Sequence, residues 1–179
     1  MTGPMTQLIG VAIEIPQPWA HELSSWRAKV GDPQAESIPP HITLLPPTAL
    51  APDQIDEAAS HLRAVAAVHR PFELHLAGTG TFRPVSEVVF VALAGGITPC
   101  QRLEGDVRAG PLHRAVDFPY HPHVTVAHGV SDEALDSAAE GLANFEARFA
   151  VSALTLYAHG SDRVWRRQRT FPLGLPAGA

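Results

Sequence analysis

Two short stretches hold the residue types that do chemistry near neutral pH: PPHITLLPP over 39–47 and YHPHVTVAHG over 120–129. Each pairs a histidine with a threonine two positions on, His41 with Thr43 and His123 with Thr125. Residues i and i+2 of a β-strand share a face. Each pair therefore projects together, with Ile42 and Leu44, or Val124 and Val126, turned the other way. Polar side chains are costly to bury in an apolar strand, so two on one face need a reason. An imidazole that titrates near neutrality serves as general base or general acid. A hydroxyl can donate to an oxygen that gains charge in a transition state. In-line displacement at phosphorus needs a base beside the incoming oxygen and an acid beside the departing one, on opposite faces. Two such pairs facing each other across a cleft meet that need without a metal.

One His-x-Thr is weak evidence, since a chain of this composition yields roughly half an instance by chance. A single strand histidine is more often a core or edge residue. The second copy changes the weighing. Both follow a proline, Pro40 and Pro122, and both are flanked by β-branched or leucine residues. Both also hold the same slot in an internal repeat.

The elements that position them read as strand, helix, His-x-Thr strand, helix, strand, twice over. In the first copy, QLIGVAIEI (7–15) is a strand and a helix follows over about 19–30. After His41, Pro52 suits the first position of a helix that runs to His69, and FELHLAG reads as a strand. In the second, SEVVFVALA (86–94) is a strand and a helix covers about 98–109. After His123, Ser131 suits an N-cap, and FAVSALTLYA reads as one strand. The repeats span about 7–77 and 86–157, with a seam at the Gly- and Pro-rich 78–86 and a closing strand over about 163–172. A pseudo-two-fold between the copies would set His41 and His123 on opposite sides of one cleft.

Bulk properties narrow the substrate. The chain has 179 residues, 45% of them hydrophobic and 17% charged, as expected of a globular chain with a real core. A formal charge of −5 speaks against a broad face for duplex DNA, which needs clustered Lys and Arg. A small nucleotide or an RNA end fits better. The single cysteine, Cys100, suits a reducing cytoplasm. The N-terminus lacks the pattern of a signal peptide, and no apolar run approaches a membrane span. The expectation is a cytoplasmic monomer with no membrane partner.

At His41-Ile-Thr43-Leu and His123-Val-Thr125-Val the sequence resembles the two-histidine (2H) phosphoesterases, which include the 2′-5′ RNA ligase-like and cyclic nucleotide phosphodiesterase proteins. The resemblance covers essentially the whole chain in organisation, while its specific content is those two tetrapeptides. It implies a single bilobal α+β domain whose two mainly antiparallel sheets line a central cleft, with helices outside. It also implies hydrolysis of 2′,3′-cyclic phosphates of nucleotides or RNA ends, or of 2′-5′ linkages, without metal or other cofactor. In that likeness His41 and His123 are catalytic, His123 activating water and His41 protonating the leaving ribose oxygen. Thr43 and Thr125 would bind the phosphate. One departure stands out: such proteins often carry an arginine shortly after the second motif, where this chain has His128.

Other residues are candidates of lower rank. Arg83 and the group Arg163, Arg166, Arg167 and Arg169 offer positive charge, although WRRQR also reads as an edge strand blunted by charge. Phe82, Tyr120 and Trp165 could stack a base, or simply pack. His121 and His123 could ligate a metal from one strand face, which makes a metal-dependent hydrolase the rival enzyme. A non-catalytic nucleotide- or RNA-binding module is the rival from another class. His61 and His69 fall on a helix and are expected to be solvated, and Trp26 to pack on a sheet. The glycines of GTGTF match neither a dinucleotide nor a P-loop fingerprint.

Overall fold

The computed structural model of the chain describes residues 5–174. Residues 1–4, part of the stretch read for a signal peptide, and residues 175–179 lie outside it. The first half runs β1 (Gln7–Glu14), α1 (Trp19–Lys29), β2 (His41–Leu50), α2 (Pro52–Val68) and β3 (Phe72–Thr81). The second runs β4 (Val88–Gly95), α3 (Ile97–Val107), a 3₁₀ turn at Gly110–Leu112, β5 (His123–His128), α4 (Asp132–Gly141), β6 (Glu146–Val151), β7 (Ala153–His159) and β8 (Trp165–Pro172).

Local sequence accounts for most boundaries. Pro52 opens α2, and Gln54 reaches back to accept the Ala51 N–H at 2.8 Å. Ser131 caps α4, its hydroxyl accepting the Ala134 N–H at 3.2 Å. In α3 the buried residues Cys100, Leu103, Glu104 and Val107 recur at helical spacing, so one stripe faces inward. Burial in that core pushes the Cys100 thiol up to about 12, which leaves it an inert packing group. Among the described residues no helix is long and apolar enough to cross a membrane.

The strands form two four-stranded antiparallel sheets, ordered β2-β1-β7-β8 and β5-β4-β3-β6. The α+β fold of two antiparallel sheets is as expected. The motif strands β2 and β5 each lie at one edge, beside β1 and β4. Each half sends its later strands across: β3 pairs with β4 and β6, while β7 pairs with β1. Neither sheet is therefore built from one contiguous stretch of chain.

Two expectations change here. FAVSALTLYA is not one strand but β6 and β7, in different sheets, broken at the exposed Ser152. The carbonyl of Ser152 accepts the Leu173 N–H at 2.8 Å, so the corner is fixed by a bond outside either ladder. The Gly-rich start of the expected seam is also strand. β3 runs to Thr81, with a register shift around Gly78, whose φ of 73° is unstrained only for glycine.

The helices bind the halves to each other. α1 packs against β5 and α3 against β2, each helix lying on the other half's motif strand. The buried residues of α1 are Ala20, Leu23 and Arg27, on one stripe. Trp26, beside that stripe, packs against the core and lies close to Gly141 at the end of α4. His61 and His69 are half-buried and hydrogen-bonded rather than simply solvated. His61 Nε2 lies 3.0 Å and 3.1 Å from the carbonyl oxygens of Asp106 and Val107, and His69 Nε2 lies 2.7 Å from Asp106 Oδ2. Both meet the C-terminal end of α3, where free carbonyls and a carboxylate attract imidazole N–H groups.

Candidate active site

Strand alternation orients both motifs. Ile42 and Leu44 are 0% and 1% exposed, and Val124 and Val126 are both 0% exposed. The residues between them, His41, Thr43, His123 and Thr125, keep partial access to solvent. All four line one open cleft of about 460 Å³ whose walls come from both sheets. Ala12, the partner of Thr43 across β1 and β2, also lines it, and its small side chain leaves the floor open.

Each imidazole is oriented in the same way. His41 Nδ1 lies 2.9 Å from the carbonyl oxygen of Pro39, and His123 Nδ1 lies 2.6 Å from that of His121. A carbonyl only accepts, so Nδ1 carries the proton in each ring and Nε2 is the nitrogen left for the cleft. The intervening prolines, Pro40 and Pro122, push the preceding residue into extended conformation, which helps aim its carbonyl at the ring. Phe82 and Phe90 pack on His123 with ring centroids 4.9 Å and 5.3 Å away.

Burial disfavours the charged form of both rings. It brings the pKa of His41 down to about 4, a shift opposed by the Pro39 carbonyl and reinforced by the nearby charges of Arg27 and His123. Burial likewise lowers His123, opposed by the His121 carbonyl and reinforced by the His121 side chain. Both rings are thus neutral at pH 7 in the free protein.

The other sequence candidates divide. Phe82, His128 and Trp165 line the cleft. Arg83 does not line it: its guanidinium is held by Asp136 at 2.8 Å and Asp132 at 3.4 Å, at the start of α4. Tyr120 and His121 line a second, more apolar hollow of about 680 Å³ that shares Thr43, Phe82 and His123 with the first. Tyr120 is held by a hydrogen bond from its hydroxyl to the Thr43 carbonyl. The His121 and His123 ring centroids are 5.8 Å apart, and among the described residues no set of three His, Cys, Asp or Glu gathers as for a metal. Arg166 pairs with Asp162, and Arg167 makes a two-pronged pair with Glu14, so β8 is an edge strand whose charges are largely spent locally.

Sequence reasoning missed Arg27, Gln34 and Tyr157, which also line the cleft. Arg27 was findable: it extends the buried stripe of α1, where a charge is out of place unless it has a partner. Tyr157 gave no such signal, since its role depends on Glu14, far away in sequence, which accepts its hydroxyl at 2.7 Å.

A model of the 2′-5′ RNA ligase superfamily matches residues 15–163. The chain belongs to this superfamily, the two-histidine phosphoesterases that its motifs resemble. A provisionally named phosphoesterase of Bacillus cytotoxicus is 27% identical over 169 residues, 93% of this chain and 96% of that protein. Another, from Bacillus thuringiensis, is 28% identical over 125 residues, 69% of this chain and 71% of that one. Among solved structures, E. coli LigT complexed with 3′-AMP superposes with a TM-score of 0.76 at 20% identity, over 96% of this chain and all of that one. A Thermus thermophilus protein, TT0787, gives 0.67 at 20% identity, over 93% and 97%. At such identities the structures show a shared fold.

Proposed function

We propose that this protein is a phosphodiesterase that opens 2′,3′-cyclic phosphates of nucleotides or RNA ends by general acid and base catalysis from His41 and His123, without a metal. The observation that carries the reading is the matched pair of imidazoles, each with Nδ1 tied to the carbonyl two residues back and both lining one cleft with Thr43 and Thr125. One neutral Nε2 takes a proton from water as the water oxygen bonds to phosphorus. The bond from phosphorus to one ribose oxygen breaks, and the other ring, protonated at Nε2, gives that oxygen its proton. Thr43 and Thr125 donate to the non-bridging oxygens as these gain charge.

In the family likeness His123 is the base and His41 the acid, and burial lowers the pKa of both rings in the free protein. A bound phosphate anion raises both pKa values, so the roles are settled in the complex. Nucleotide-sized substrates fit the cleft volume, and the fold relative LigT was solved with 3′-AMP.

The test is hydrolysis of a panel of 2′,3′-cyclic mononucleotides in excess EDTA, with products resolved by phosphorus NMR. Release of one monophosphate isomer is expected. His41→Ala and His123→Ala should each lose on the order of 10²–10⁴-fold in rate. Turnover that both variants retain would rule the mechanism out. Activity that EDTA abolishes and zinc restores would favour the metal-dependent alternative built on His121 and His123.

A further inference from the structure

We propose that Arg27, steadied by Asp32, is the fixed cation that grips the phosphate in this cleft; the assignment rests on the reading above for the identity of the anion. Among the described residues Arg27 is the sole Lys or Arg lining the cleft. Its side chain is 7% exposed and that of Asp32 is 0% exposed. Arg27 Nε donates to Asp32 Oδ2 at 2.6 Å. A guanidinium has five N–H groups in a planar fork, so this bond leaves those on the two Nη atoms. No side-chain nitrogen sealed from solvent lacks a partner among the described residues. The Nη groups therefore keep access to solvent, and Arg27 is among the residues that line the cleft.

Asp32 does more than neutralise. Its Oδ2 also accepts the backbone N–H of His128 at 3.1 Å, and its Oδ1 accepts that of Gln34 at 2.8 Å. One carboxylate thus ties the end of α1 to the end of β5 and fixes the arginine on the wall beside the second motif. Its charge offsets that of Arg27 in the pair as a whole, so the arginine would act on the phosphate through its Nη N–H groups. Arg83, Arg166 and Arg167 are engaged by carboxylates elsewhere. A planar fork with free Nη groups suits two oxygens of one phosphate.

A purely structural staple would look similar at rest, so the test separates binding from folding. Affinities for adenosine 2′- and 3′-monophosphate, with adenosine as the uncharged control, are measured by calorimetry on the wild type, Arg27→Met, Arg27→Met with Asp32→Asn, and Arg27→Met with His128→Arg. Asp32→Asn removes the stranded charge and keeps an acceptor for one of the two amides. Both variants without a replacement cation should bind the monophosphates about 10–100-fold more weakly, with adenosine unchanged and KM for the cyclic phosphate raised. An arginine at 128 should restore part of that loss. Wild-type monophosphate affinity in a folded Arg27→Met with Asp32→Asn would overturn the assignment. Arg27-dependent monophosphate binding in a wild type that turns over no cyclic phosphate would uphold the cation site and sink only the reaction.

Discussion

The hydroxyl of Tyr120 donates a 2.8 Å hydrogen bond to the backbone carbonyl of Thr43. It joins the loop ahead of the second motif to the strand of the first, at the middle of the site. Burial pushes the phenol pKa well up, so it stays a donor through the whole working range. Tyr120→Phe should cost about 1 kcal/mol of stability, the net worth of one such bond. It should also lower kcat/KM by up to about tenfold, since one bond of about that worth sets the scale. Urea melts and initial rates check both, and an unchanged kcat/KM would show that the bond does not position Thr43.

The rate should peak on the acid side. Turnover needs one neutral and one protonated imidazole, and both are held below the ordinary histidine value in the free protein, His41 at about 4. Since kcat/KM reports the free enzyme, it should fall as pH rises through neutrality. A bound phosphate anion favours imidazolium, so kcat should fall at a higher pH than kcat/KM. Rates from about pH 4 to about pH 9 at low and saturating substrate test this. A kcat/KM that climbs between about pH 6.5 and about pH 8 would contradict it.

Stability should also carry the mark of His41. Its folded pKa, about 4, lies below the ordinary value of 6.5, so the unfolded chain takes up a proton first as pH falls. The neutral ring's contribution is complete above pH 6.5, is lost on the way down to pH 4, and is constant below that. The full shift corresponds to at most about 3 kcal/mol, less because the ring keeps some solvent access. His41→Gln should flatten the dependence of Tm on pH across this window. A wild-type Tm curve that the substitution leaves unaltered would argue that the ring is not desolvated.

Gly141 should tolerate no side chain. A Cβ there would run into the Trp26 ring, and Trp26 adjoins Arg27 on α1. Gly141→Ala should therefore cost roughly 1–3 kcal/mol by overpacking. Because it displaces α1, it should raise KM as well. Thermal melts and Michaelis constants read the two effects. Loss of stability with KM unchanged would mean that α1 yields without moving Arg27.

Sequence alone determined the motifs and, apart from the stretch that splits into β6 and β7, the order of elements, while the family resemblance implied the α+β class. Its signals are local: the period-two exposure of His41 and Thr43 against Ile42 and Leu44, the proline before each histidine, and the caps at Pro52 and Ser131. Each depends on residues within a few positions of one another, where backbone geometry fixes the outcome. Tertiary structure decided which strands share a sheet, since β3 and β7 cross to the opposite half and the pattern of a strand does not name its neighbour. It also decided the fate of charges. Arg83 looked available in sequence, yet lies against Asp132 and Asp136. Arg27 carried only the hint of a charge on the apolar stripe of α1, yet Asp32 holds it among the residues that line the cleft. A side chain's charge is felt only through what lies within a few ångströms of it, and those neighbours come from parts of the chain that only folding brings together.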